Sequence, residues 1–384
     1  MKKKNYLFFV LLVAISIISC KSASGLEEVL KTYSVANKTE CETKDGYWYK
    51  DKCWANFKET NNNITASEID AEVDKQLTSV KDFGLELNNN NYKLDLFLPQ
   101  IDEEENEFTF ISVFTNKNGK KQTLVQVAPL KAMEKEKKKF SVQSVLFDAD
   151  LSVLKDNQEA KISSYIIAKG KAEVIKTGDN EETMLLDFKG SLSSKKDSST
   201  MPYTVKAGMM LTGIGNTTLE VKGNEVYLNG ILGTISYKQF KNLIKEHPEV
   251  KTIVLEKVPG SINDAVNMHT GKLIKNAGFT TKVLANSQIS SGGVDLFCAG
   301  RKRVVTKGAK IGVHSWSGGS FSAGELPKDH PAHQYQIAYF NEVLGSPNGE
   351  DFYFYTLQSA SFNDIHWMSI DEVKTWNLAT EINK

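Results

Sequence analysis

The segment Gln288-Ile289-Ser290-Ser291-Gly292-Gly293 sets a serine directly ahead of two glycines and of the apolar run Val294 to Ala299. A serine on a strand-to-helix turn can act as a nucleophile, because glycines let the substrate backbone approach and the helix start presents amide N–H groups to an oxyanion. Pro259-Gly260-Ser261 offers a further such N–H at Gly260, again just before a helical pattern. Downstream, Lys310-Ile311-Gly312-Val313-His314 places a histidine at the end of a short strand, where it can take a proton from a hydroxyl. Together these residues supply a nucleophile, a base and two oxyanion donors, the parts acyl transfer needs. A serine before two glycines is by itself an ordinary turn or helix cap, so the weight rests on the ordered set.

The elements that must hold these residues are legible after about Val221, where strands and helices alternate. Val226 to Leu232 reads as an apolar strand. Ser236 reads as the cap of a helix with Tyr237, Phe240, Leu243 and Ile244 on one face, stopped at Pro248. Lys251 to Leu255 is a buried strand, Val266 to Gly278 a helix, and Thr281 to Ala285 the next strand. Such a βαβαβ run implies parallel strands with right-handed crossovers. Ligands in sheets of this kind sit at the carboxyl ends of the strands, which here are the loops 256–261 and 286–292.

Residues 226 to about 380 resemble the ClpP-like serine proteases of the ClpP/crotonase superfamily, and among them the periplasmic predicted-protease branch. The resemblance rests on order: strand, Pro-Gly-Ser loop, helix, strand, Ser-Gly opening a helix, then a Gly-Val-His strand end. It implies Ser291 as nucleophile, His314 as base, and the amides of Gly260 and Gly292 as the oxyanion hole. In that family the third triad member stands shortly before an aromatic-Leu-Ser-x-x-Glu helix start, matched here by Trp367-Met368-Ser369-Ile370-Asp371-Glu372. Strict matching puts Ile365 at the acid position, and Asp364, one residue earlier, is the carboxylate taken for the role. Pro259 is a second departure, standing where the family has a glycine. The resemblance further implies a peptide or protein substrate, a homo-oligomer, and neither cofactor nor metal. His330 and His333 are not read as metal ligands, because Pro331 spoils a helical pairing.

The first half carries no chemical motif. Lys2 to Lys4, an apolar run from Leu7 to Ile18, and Ile17-Ile18-Ser19-Cys20 resemble a bacterial lipoprotein leader, implying acylation of Cys20. The apolar run is shorter than the roughly 20 residues that a spanning helix needs. The expected location is therefore the cell envelope, lipid-anchored and facing the periplasm or the cell exterior. Cys41 and Cys53 flank an aromatic, turn-rich segment and are expected to form a disulfide worth about 3 kcal/mol. Cys298 lies in an apolar stretch and is expected in the core. Ser67 to Val80 suits an acidic helix capped by Ser67. Strands are expected at 93–98, 108–114 and 123–127, with an Asn118-Gly119 turn, and at 163–168, 172–176 and 184–188.

Composition sets the outer limits. The chain has 384 residues and zero net charge, from 47 basic and 47 acidic side chains, and Arg301 and Arg303 are its only arginines. That balance argues against a nucleic-acid binder, which needs a basic excess. The expected fold class is α+β overall: a leader at 1–19, a tether and disulfide hairpin at 20–65, a β-rich domain at 66–215, and an α/β ClpP/crotonase-like domain with parallel βαβ units at 221–384. The functional reading is a membrane-tethered serine peptidase using a Ser-His(-Asp) site outside the cytoplasm. Its rival is a non-catalytic lipoprotein that binds a protein or envelope partner through the same cleft. A Ser–Lys dyad and a crotonase-type acyl-CoA enzyme are weaker rivals, the second because acyl-CoA is cytoplasmic.

Overall fold

The computed structural model describes residues 32–44, 46–49, 52–55, 64–102, 105–134, 136–155, 159–178, 184–316 and 322–384. The lipoprotein leader and Cys20 lie outside the described residues. The chain divides into two units, one over 75–214 and the other joining the described part of 19–74 to 215–384.

In the first unit the alternation after Phe83 becomes a nine-stranded antiparallel sheet. Its outermost strands are Asn90–Tyr92 and Leu94–Asp102. Only Lys93 separates those two strands, so the edges of the sheet meet and the sheet curls into a barrel. Rings from strands far apart in the sheet order touch inside it. Phe110 meets Phe188 at 5.1 Å, and Tyr92 meets Phe114 at 5.2 Å. The Tyr203 hydroxyl reaches Ser144 Oγ at 2.6 Å and accepts from Gln126 Nε2 at 3.1 Å, giving the apolar interior one polar link. The segment expected as two strands at 163–168 and 172–176 is one long strand, Ile166–Thr177, preceded by the short helix Glu159–Ser164. Of the strands not expected, the two long ones are Lys139–Phe147 and Thr200–Gly208. A lysine run masks the first, and Pro202 and Gly208 weaken the β pattern of the second.

In the second unit, Cys41 and Cys53 are placed as a disulfide with Cα atoms 5.4 Å apart. The bond ties the helix Lys38–Thr43 to the strand Lys52–Ala55, so it braces the hairpin from outside instead of closing its two strands together. The acidic helix is Ala66–Ser79, and its cap is Thr65, not Ser67: Thr65 Oγ1 accepts Glu68 N–H while Glu68 Oε2 accepts Thr65 N–H. Asp70 of this helix takes hydrogen bonds from Tyr237 and Lys241, and Asp74 takes one from Lys238.

The main sheet of this unit runs in the order 218–222, 225–229, 252–258, 280–290, 302–306 and 381–383, and every pairing after the first is parallel. The helix Thr234–Glu246 starts two residues before Ser236. Ser236 Oγ instead accepts Gly233 N–H and donates to Gly233 O, closing the first turn from inside. The strand expected at 281–285 is longer, Thr280–Ser290. Most of the expected loop 286–292 is therefore extended backbone. A kink held by Leu284 N–H donating to Ser287 Oγ divides it. Before the kink the strand pairs with Lys302–Thr306, and after it with Lys310–Val313. This second leaf carries the histidine strand to the serine turn. Cys298 is fully buried, and burial pushes its thiol pKa far up.

Candidate active site

Ser291 follows the last residue of the kinked strand and caps the helix Gly292–Cys298. Its φ of 51° and ψ of −129° lie where a non-glycine residue is seldom found, a conformation that costs of order 1–3 kcal/mol. The turn is held by bonds on both sides. Ser291 N–H donates to Gly312 O at 3.0 Å, and Ser291 O accepts Val294 N–H at 2.7 Å. Ser290 Oγ donates to Pro259 O at 2.8 Å and so locks the serine turn to the 256–261 loop. Pro259 thus serves through its carbonyl, and its missing N–H is not called upon.

That loop runs directly against the serine. Gly260 has φ 144°, its carbonyl accepts Leu232 N–H at 2.8 Å, and a Cβ on it would lie 3.2 Å from Ser291 Cβ and 3.5 Å from Oγ. Gly292 is equally confined, since a Cβ there would sit 2.5 Å from Ser261 Cβ and 2.9 Å from Asn267 Nδ2. The Asn267 amide donates to Gly292 O at 3.0 Å and fixes that peptide. The Ser291 amide is spent on Gly312 O and so is not available as a donor to a ligand.

Ser291 and His314 line one cavity of about 50 Å3. His314 comes off the end of Lys310–Val313 and is half-buried. Asp364 does not line this cavity. It is exposed in the turn closed by its own N–H on Ser361 O, and its carboxylate accepts Ile365 N–H at 2.8 Å. Ile365 sits over the histidine strand, where its Cγ2 would be 2.6 Å from a Cβ on Gly312. Ser291 and His314 thus line one cavity with Gly260 packed against the serine, while Asp364 is exposed and outside that lining.

Two carboxyls that the sequence reading passed over do line the cavity: Asp264, first residue of the helix Asp264–Asn276, and Asp295. Burial, and then the charge of Asp264, push the Asp295 pKa well above the usual carboxylate range, against the opposing effect of the Asn267 amide. Asp295 stands four residues after Ser291 on one helix, a spacing that shares a face and could have signalled it. The far wall is a polar chain: Trp316 Nε1 donates to Tyr353 OH at 2.8 Å, and that hydroxyl meets His333 Nδ1 at 2.7 Å. Burial, with His330 nearby, lowers the His333 pKa to about 4, so the imidazole is neutral. Among the described residues, no group of three or more His, Cys, Asp or Glu is arranged to hold a metal.

No protein-family model matches the chain, and no curated protein matches it. Solved structures do show similarity. An enoyl-CoA hydratase from Bacillus halodurans is 12% identical with a TM-score of 0.30, over 44% of this chain and 73% of that one. An enoyl-CoA hydratase/isomerase from Marinobacter aquaeolei is 9% identical with a TM-score of 0.31, over 44% and 70%. A membrane-bound stomatin-specific protease in complex with a substrate peptide is 17% identical with a TM-score of 0.27, over 38% and 68%. Likeness at this level bears on neither activity nor substrate. Among the described residues no helix is long and apolar enough to cross a membrane.

Proposed function

We propose that this protein is a serine hydrolase of the ClpP-like kind that cleaves peptide bonds outside the cytoplasm, tethered through a lipid on Cys20. The observation that carries the reading is the Ser291 turn. A serine held at positive φ, with its Oγ against Gly260, faces a cavity that His314 also lines. Ser291 Oγ attacks the scissile carbonyl as His314 takes its proton. The amides of Gly260 and Gly292 receive the developing oxyanion, and His314 returns the proton to the leaving amine. Water, deprotonated by the same imidazole, then releases the acyl group from Ser291. These steps use only side chains and amides of the chain. A homo-oligomer belongs to the same proposal, by analogy with ClpP-like proteins.

A second reading, a non-catalytic protein that binds a partner through this cleft, is supported by the Asp364 carboxylate being engaged with Ile365 N–H and absent from the cavity lining. Labelling of the full chain in detergent with a fluorophosphonate separates the two. Covalent labelling of the wild type, lost in Ser291→Ala and lowered at least tenfold in His314→Ala, is the expected result. A folded wild type that takes no label, or label that persists in Ser291→Ala, overturns the hydrolase reading.

A further inference from the structure

We propose that the cavity beside Ser291 is a specificity pocket for a cationic side chain of the substrate, a lysine-type ammonium held between Asp264, Asp295 and Gln336; this rests on the hydrolase reading of the same site. Asp295 stands on the helix that Ser291 caps and lines the same cavity as the serine. Asp264 enters the same cavity from the start of the helix Asp264–Asn276. A third acceptor is independent of the two acids. Gln336 lines the cavity, is only 7% exposed, and its Oε1 has no hydrogen-bond partner among the described residues. A buried amide oxygen left without a donor costs about 1–3 kcal/mol, so a ligand that supplies one is favoured.

The match is one of number and type. An ammonium carries three donors and no acceptor, and three side chains that can accept line the cavity. No lysine or arginine is among the residues lining it. Met268, Val294, Phe340 and Phe352 supply apolar wall for the methylene stem. A bound cation would also offset the burial and the neighbouring Asp264 charge that raise the Asp295 pKa.

The test compares two diphenyl aminophosphonates on the full chain, one with a lysine side chain and the other with its uncharged norleucine isostere. The lysine form is expected to label Ser291 at least tenfold faster, with the ratio falling to about one in Asp295→Asn. Equal or faster labelling by the norleucine form overturns the pocket and leaves the hydrolase reading standing. Should neither phosphonate react, fluorophosphonate labelling decides the hydrolase reading separately, and calorimetric titration with n-butylamine against n-butanol decides the pocket. Amine-selective binding lost in both Asp295→Asn and Gln336→Leu supports it, and no amine binding by the folded wild type overturns it.

Discussion

Gly260→Ala tests the proposed oxyanion site at its narrowest point. Gly260 has a φ of 144°, where an L residue costs about 1–3 kcal/mol, and the new methyl would stand 3.2 Å from Ser291 Cβ. If the loop keeps its φ, the methyl presses on the serine. If it rotates to relieve strain, the Gly260 amide swings off the carbonyl oxygen. Loss of one oxyanion donor slows acyl transfer about 10²–10³-fold, and a 1 Å misplacement of reacting groups costs about 10²-fold. The rate of fluorophosphonate labelling is therefore expected to drop about 100-fold, with Tm lowered by about 2–4 °C for each kcal/mol of strain. Gly278→Ala is the matched control. Its φ of 74° also disfavours a side chain, at about 1–2 kcal/mol, but a Cβ there meets nothing within 4 Å and the residue does not line the cavity. It should lower Tm and leave labelling unchanged. Wild-type labelling of a folded Gly260→Ala would refute the oxyanion argument, and equal slowing in both variants would trace the effect to general loosening.

Three further outcomes are expected. Because the Asp295 pKa is raised in the folded state, its stability contribution is complete only below the unfolded carboxylate pKa and is lost as pH rises; Asp295→Asn should therefore match the wild type in acid and melt higher at neutral pH. Thermal melts across that range check this, and a variant that melts lower at neutral pH would contradict it. Glu372 has the opposite sign: hydrogen bonds from the Ser369 amide, Tyr355, Ser369 Oγ and His366 hold its pKa down to about 2, so its stabilisation is full above the unfolded value near 4.5 and fades as pH falls toward 2. Glu372→Gln should cost about 1 kcal/mol at pH 7 in urea unfolding, given its exposure, and the gap should shrink steadily below pH 4.5. In the barrel, Tyr203→Phe leaves the buried Ser144 hydroxyl without its link and should destabilise the first unit by about 1–3 kcal/mol, read from its denaturant midpoint.

Much of the site was readable because its signals are local. The serine-glycine turn, the strand-end histidine and the Gly260 loop each declare themselves within six residues, and the βαβ alternation states that they share one end of a sheet. The α/β character of the second unit and the β-rich character of the first follow from period alone. Asp364 shows where such reading stops. The family resemblance paired it with His314, but the turn 361–364 gives its carboxylate to a neighbouring amide. Barrel closure is a similar case: Tyr92, Lys93 and Leu94 are ordinary strand residues, and only the pairing of eight other connections brings the sheet edges round to them.

Local pattern thus marked Ser291, His314 and the Gly260 loop as candidates, since each depends on a turn or a strand end that neighbouring residues impose. Tertiary structure alone decided the cavity. Asp264 is a charge at a helix start that would read as solvated, and for Asp295 the four-residue spacing from Ser291 is the one local signal. They become pocket walls because Phe340, from the helix Gln334–Leu344, and Phe352 and Tyr353, from the helix Asn348–Ser359, line the same space. Burial is conferred by what packs from elsewhere in the chain, so a residue's exposure, and with it the charge state of a carboxyl, cannot be read from its own segment.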